Sequence, residues 1–146
     1  MVTTVVRPVK QISSRFSIAV HVLILLAVSP KECTGDFLAA SVNTNPVIIR
    51  RIMGMLKKAG LVDVRAGVGG ASLRKEPSQI TLLDVYRAVQ VIEEGQLFNF
   101  HDNPNPNCPV GRNIESALRA ELTEAQSAME RRLAQVTVDQ LISRFQ

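Results

Sequence analysis

Tryptophan is missing from this 146-residue chain, and five phenylalanines and one tyrosine are its only aromatic side chains. A core must therefore rest on Leu, Ile, Val and Ala, a composition that suits helices packed on helices. Cysteine is nearly as scarce. Cys33 and Cys108 are too few for the disulfide framework of a small secreted domain, and in a reducing compartment both are thiols. Long apolar runs are lacking too. The longest, Ile18 to Val28, is broken by His21 and falls short of the roughly 20 residues that span a bilayer. It lies too deep for a cleavable signal and no small-residue cleavage site follows it, so a cytoplasmic protein without membrane contact is expected.

Groupings that would mark an enzyme are also lacking. No nucleophile–base pair or carboxylate dyad stands out, and Gly67-Val68-Gly69-Gly70 joins two strand-like runs instead of opening the helix that phosphate binding needs. His21, His101, Cys33 and Cys108 show none of the usual zinc-ligand spacings. No metal is expected, and no catalysis. What remains is an ordinary folded composition, 46% apolar and 21% charged, with net charge +4 and pI near 9.5. That charge is compatible with a polyanionic partner but does not select one.

The pattern along the chain is mainly helical. Residues 1–12 show no clear period and no cap, and read as a flexible arm. Ser13 or Ser14 can cap a helix through Phe16, Ile18, Ala19, Val22, Leu23, Leu26 and Ala27, ending near Ser29-Pro30. Thr34 reads as the cap of a short helix carrying Phe37, Leu38, Ala40 and Val42. Asn45-Pro46 is a strong start: Asn caps, and Pro at the first helical position has no amide proton to leave unpaired. This third helix places Ile49, Ile52, Met53 and Leu56 on one face and stops at Gly60.

The period then changes to two. Leu61 to Val64 and Ala71 to Leu73 read as strands around the glycine loop. Thr81 or Ser78 starts a helix with Leu82, Leu83, Val85, Tyr86 and Val89. His101 to Gly111, with its prolines and asparagines, reads as a loop. A long helix is expected from about Arg112 to Ala134, with one seam of Ile114, Leu118, Leu122, Ala125, Met129 and Leu133. Thr137 with Gln140 forms a capping box for a last helix holding Val138, Leu141, Ile142 and Phe145.

Three helices followed by a hairpin is the order of a winged helix-turn-helix, so the expected fold is mainly α with a small β-hairpin wing and a long C-terminal helix. In such a fold the third helix enters the major groove of DNA. Arg50 and Arg51 suit guanine edges or phosphates, and Thr44 and Asn45 suit adenine or phosphate. Arg65, Arg74 and Lys75 lie in or beside the wing, whose glycines allow a sharp turn and close approach. A solvated charged face, or a winged helix that binds protein instead of DNA, is the competing reading.

The run from Ser41 to Leu61, SVNTNPVIIRRIMGMLKKAGL, followed by Arg65-Ala-Gly-Val-Gly-Gly70, resembles the signature of the Rrf-two family of bacterial transcription regulators. The similarity extends from about Ser14 to the C-terminus and includes Leu82 to Val89. The resemblance implies a homodimer on a roughly palindromic operator, with repression as the family's habit and a long C-terminal helix crossing its twin. The apolar seam agrees, because such a helix needs an apolar partner and a second subunit is the simplest one. Carried onto this chain, the DNA-contacting set is Thr44, Asn45, Val47, Ile48, Arg50, Arg51, Arg65, Gly67 and Gly69. One departure stands out: many members place the wing arginine directly before the first glycine, whereas here Ala66 intervenes, and a one-residue shift in a hairpin turns a side chain to the other face. The expected division is an arm at 1–12, a DNA-binding domain at 13–80, and a helical dimerisation and sensing region at 81–146.

Cluster-binding members carry three closely spaced cysteines before the long helix; here Cys108 stands alone. An iron–sulfur centre wants about four protein ligands, mostly thiolate, so no cluster or other cofactor is expected. Two readings of Cys108 remain. As a thiol switch, its acidity is raised by the helix dipole and by Arg112, and Cys33 serves as resolving thiol. Otherwise it is a quiet remnant of the cluster loop.

Overall fold

The computed structural model describes residues 14–65, 70–89 and 100–145. The arm at 1–12 and the wing residues Gly67 and Gly69 lie outside the described residues.

Helix α1 (Arg15–Val28) buries Ala19, Val22, Leu23 and Leu26, a stripe at helical spacing. Its start differs from the expected cap. Ser14 occupies the N-cap position, but its hydroxyl makes no capping bond; only its carbonyl engages, accepting from the Ile18 amide at 3.0 Å. Helix α2 (Gly35–Val42) is capped as expected, with the Thr34 hydroxyl accepting from Phe37 N–H at 3.1 Å. Leu38 and Ala39 are its buried residues, while Ala40 faces solvent. Asn43 ends α2 at φ 63°, a left-handed conformation that asparagine tolerates better than most residues, and the chain turns at once into α3.

Helix α3 (Pro46–Lys58) begins with Asn45 Oδ1 accepting from Ile48 N–H at 3.0 Å and buries Ile49, Ile52, Met53 and Leu56. Gly60, at φ 78°, takes the left-handed position that releases the chain into the hairpin. Strands β1 (Val62–Arg65) and β2 (Gly70–Leu73) pair antiparallel from Val62 opposite Leu73 to Arg65 opposite Gly70.

A single 3-10 turn at Pro77–Gln79 leads to α4 (Leu82–Ala88). Thr81, not Ser78, is its cap: hydroxyl and backbone exchange 3.0 Å bonds with Asp84 in a closed capping box. Helix α5 (Pro109–Gln135) begins three residues before the expected Arg112. Helix α6 (Val138–Ile142) has the capping box of Thr137 and Gln140, and Phe145 falls beyond it in a 3-10 turn, 74% exposed, not packed within the helix.

The core is mostly aliphatic, with Cys33 and Met53 among its buried residues, and joins α1, α2, α3, β1, α4 and α6. Its C-terminal contribution is Val138 and Ile142, brought back by backbone bonds from Leu82 N–H to Val136 O at 2.8 Å and from Val138 N–H to Ile80 O at 2.9 Å. Thus α5 is pinned at its far end, yet none of its residues is buried. The result is the mainly helical winged fold with a two-strand hairpin and a long C-terminal helix.

Candidate nucleic-acid interface and sensor loop

The turn between α2 and α3 sets the interface. Thr44 N–H donates to Ala39 O at 2.9 Å, so the turn is fastened to α2 before Asn45 opens α3. Asn45 serves first as a cap; its carboxamide keeps donor capacity beyond the capping bond. From this start the exposed face of α3 carries Val47, 58% accessible, then Arg50 and Arg51, with Lys57 and Lys58 in the last turn. Among the described residues none of these cations has an acidic partner. Unpaired cations on one helix face leave their charge available to a polyanion. Of the nominated residues, Ile48 is the inward one: it is half-buried and packs on the core.

The hairpin stands beside α3. An open cleft of 340 Å³ lies between them, floored by Leu38, Ile49 and Met53 and edged by Arg50, Val64 and Asp36. Strand alternation places Val62 and Val64 on the inner face and Asp63 and Arg65 on the outer one. Arg65 is exposed opposite Gly70, on the same side as Asp63, which holds Arg74 at 3.6 Å. Arg65 therefore stands on the face away from the cleft.

The two cysteines differ in every respect. Cys33 is 4% exposed in the core, its thiol directed at the carbonyls of Ser29 (3.1 Å) and Leu25 (3.5 Å). Burial pushes its thiol up, and the Glu32 carboxylate adds to that. Cys108 is exposed at the N-cap of α5. The first-turn amides of Gly111 and then Val110 hold its thiol below the ordinary range, although neither closes a formal capping bond. These amides, and not Arg112, are the cause.

The turn around Cys108 is tightly built. Asn105 Oδ1 accepts from Asn107 N–H at 2.9 Å, and Asn105 O accepts from Cys108 N–H at 3.2 Å. Gly111 lies against this turn, where a Cβ would meet Asn105 O at 2.6 Å. Further on, the Arg119 guanidinium covers the Phe100 ring at 4.7 Å, clasping the loop to α5. Sequence reasoning missed the parts played by Asn105 and Gly111. An Asn-Pro-Asn-Cys-Pro run announces a turn, but not the backbone contact that makes glycine necessary.

The seam residues Ile114, Leu122 and Met129 are half-exposed, while Leu118 (42% accessible) and Ala125 lie open. Among the described residues no helix is long and apolar enough to cross a membrane.

Comparison with known proteins agrees with this architecture. Residues 12–144 match the Rrf2 family model, described as iron-dependent transcriptional regulators. YwnA of Bacillus subtilis, named as a candidate helix-turn-helix transcriptional regulator, is 51% identical over 84% of this chain and 90% of its own. A crystal structure of a candidate DNA-binding protein superposes with TM-score 0.71 at 42% identity, covering 88% of this chain and 99% of that one. The global cysteine regulator CymR of B. subtilis shares the fold, with TM-score 0.66 at 23% identity over 92% of this chain and 98% of that one.

The family's description raises the question of iron. Two cysteines in the whole chain, one of them buried and bonded to carbonyls, do not supply the ligand set of an iron–sulfur centre. Among the described residues no three His, Cys, Asp or Glu side chains gather around a metal-sized space. The donor set does not fit. With the recognition helix, the hairpin and the length of the match in place, the chain belongs to the Rrf2 family, whose members are DNA-binding transcriptional regulators and not enzymes.

Proposed function

We propose that this chain is a sequence-specific regulator, a repressor that binds a palindromic operator as a homodimer and is controlled by oxidation of Cys108. The observation carrying the DNA reading is the outward face of α3, where Val47, Arg50 and Arg51 stand exposed on a helix fixed by the Asn45 cap. Asn45, Val47, Arg50 and Arg51 read base edges, and Thr44 contacts phosphate. Ile48 supports the helix from within. Arg65, with Gly67 and Gly69, gives the wing's contact to the DNA backbone. Residues 13–80 carry this interface, and 81–146 carry dimerisation and sensing.

Dimerisation uses Ile114, Leu118, Leu122, Ala125 and Met129, because a helix with no fully buried residue in its own subunit leaves that seam partly open to a second copy. Control follows from the contrast between the thiols. The Cys108 thiolate attacks peroxide, the O–O bond breaks, and a sulfenic acid forms as hydroxide departs. Cys33, buried and more firmly protonated, is not the first thiol to react.

A salt titration of binding to mixed-sequence duplex tests the reading. Affinity falls steeply with salt, and Arg50→Ala with Arg51→Ala reduces the log–log slope by about one unit per lost phosphate contact. A slope near zero for the wild type means a protein-binding winged helix instead. For the switch, peroxide releases wild-type protein from a duplex selected out of a random pool, while Cys108→Ser stays bound. Equal release of both ends the thiol proposal.

A further inference from the structure

One residue on the outward face of α3 has no explanation among the described residues. Gly54 lies mid-helix and exposed, one turn or two from Val47, Arg50, Arg51 and Lys58, on the side opposite Ile49, Ile52, Met53 and Leu56. Glycine is a poor choice there. It loses more conformational freedom on folding than any other residue, and helix interiors favour alanine. Two ordinary reasons for glycine fail. Its backbone is not left-handed, since Gly60 is the only positive-φ glycine among the described residues. Nor is it crowded: a Cβ built at Gly54 meets no atom within 4 Å. Gly111 makes the contrast, because there a Cβ strikes backbone at 2.6 Å and the fold itself demands glycine.

A residue that weakens its own helix, and for which neighbours leave ample space, fits a surface that something else approaches closely. The surroundings of Gly54 are cationic, with Arg50, Arg51, Lys57 and Lys58 on the same helix and no acidic partner for any of them among the described residues. That charge selects a polyanion over a protein face of mixed sign. We infer that Gly54 is a contact residue for duplex DNA, the point where the α3 backbone lies against the wall of the major groove without an intervening side chain. The inference rests on the DNA reading of α3 given above. It adds that affinity depends on the absence of a side chain at this position, so that stability and binding oppose each other there.

Opposed effects make the test sharp. Gly54→Ala raises the melting temperature by about 2–5 °C, as expected for an alanine replacing glycine in an open helical position. The same variant binds a duplex, selected by wild-type protein from a randomised pool, about tenfold or more weakly. Gly54→Leu binds more weakly still while remaining folded. Arg50→Ala, measured beside them, separates the two readings. If Arg50→Ala weakens binding but both Gly54 variants bind as wild type, the contact is refuted and the DNA reading stands. If none of the three alters binding, α3 is not the DNA surface and both fall. A lowered melting temperature for Gly54→Ala refutes the premise of open space. A change in oligomeric state by sedimentation, with DNA affinity per dimer unchanged, assigns the close neighbour to protein and overturns the inference.

Discussion

Cys108 and Cys33 have the same side chain and opposite chemistry, because one faces first-turn amides in solvent and the other faces carbonyls in an aliphatic core. The thiolate is the reactive form, and its population grows as pH rises through the thiol's own value. With that value lowered, Cys108 alkylates half-maximally at a pH below that of a free cysteine. Cys33, with its value raised, stays unmodified until denaturant is added. Peptide mapping after iodoacetamide treatment across a pH series reads both, and preferential labelling of Cys33 would contradict the assignment. Gly111 enters the same argument. Adding a methyl 2.6 Å from Asn105 O displaces the turn that holds Cys108. Gly111→Ala is therefore expected to destabilise by about 1–3 kcal/mol, as overpacking does, and to return the Cys108 profile toward that of a free thiol. The place of Cys108 close to the start of the long helix was legible in the sequence, although its N-cap position and its exposure were not read. The burial of Cys33 was not legible: Pro30-Lys31-Glu32 reads as a polar loop, and only the three-dimensional return onto Leu25 and Ser29 covers the sulfur.

At the scale of elements, legibility follows how local the determining contacts are. Helix α3 announced itself completely, since the Asn45 cap, Pro46, the apolar stripe and the Gly60 stop all act within a few residues. The start of α5 was read three residues late because Pro109, taken as a loop residue, is a first-turn proline behind the cap position of Cys108. The pairing of Thr81 with Thr137 was not read from the sequence, because it is a backbone bridge between segments more than fifty residues apart. Its presence makes the Thr81 cap a junction. The hydroxyl that caps α4 belongs to the residue whose neighbours, Ile80 and Leu82, bond across to Val138 and Val136. Thr81→Ala removes the bond to Asp84 N–H and leaves one helix-start donor without its partner. A loss of about 1 kcal/mol in urea denaturation is expected, with Asp84→Ala giving a similar loss. Because both act on one box, the double variant loses less than the sum of the two. Full additivity would show that the two groups act independently.

At the scale of the whole molecule, Cys108 and the backbone bonds that tie Val136 and Val138 to the core lie at opposite ends of α5. Helix α5 has 27 residues, a rod of roughly 40 Å, and its C-terminal end is the one pinned to the core. Cys108 sits at the other end, and α5 packs on α4 within the subunit. In the proposed dimer α5 also meets the partner's α5, and on that reading a chemical change at either Cys108 acts on both copies of α3. Dimerisation and oxidant control should consequently fail together. Leu118→Glu places a charge at an exposed point of the seam, where it disturbs no buried packing within the subunit. The variant is expected to keep the wild-type helical content by circular dichroism yet sediment as a monomer. On the selected duplex its affinity drops at least tenfold, because one subunit reads only half the operator, while the salt dependence per bound subunit on mixed-sequence DNA is retained. Its residual binding no longer responds to peroxide even though Cys108 still oxidises by mass spectrometry. If the monomeric variant still releases DNA on oxidation, the signal travels within one subunit, and the long exposed helix is not the route between thiol and DNA.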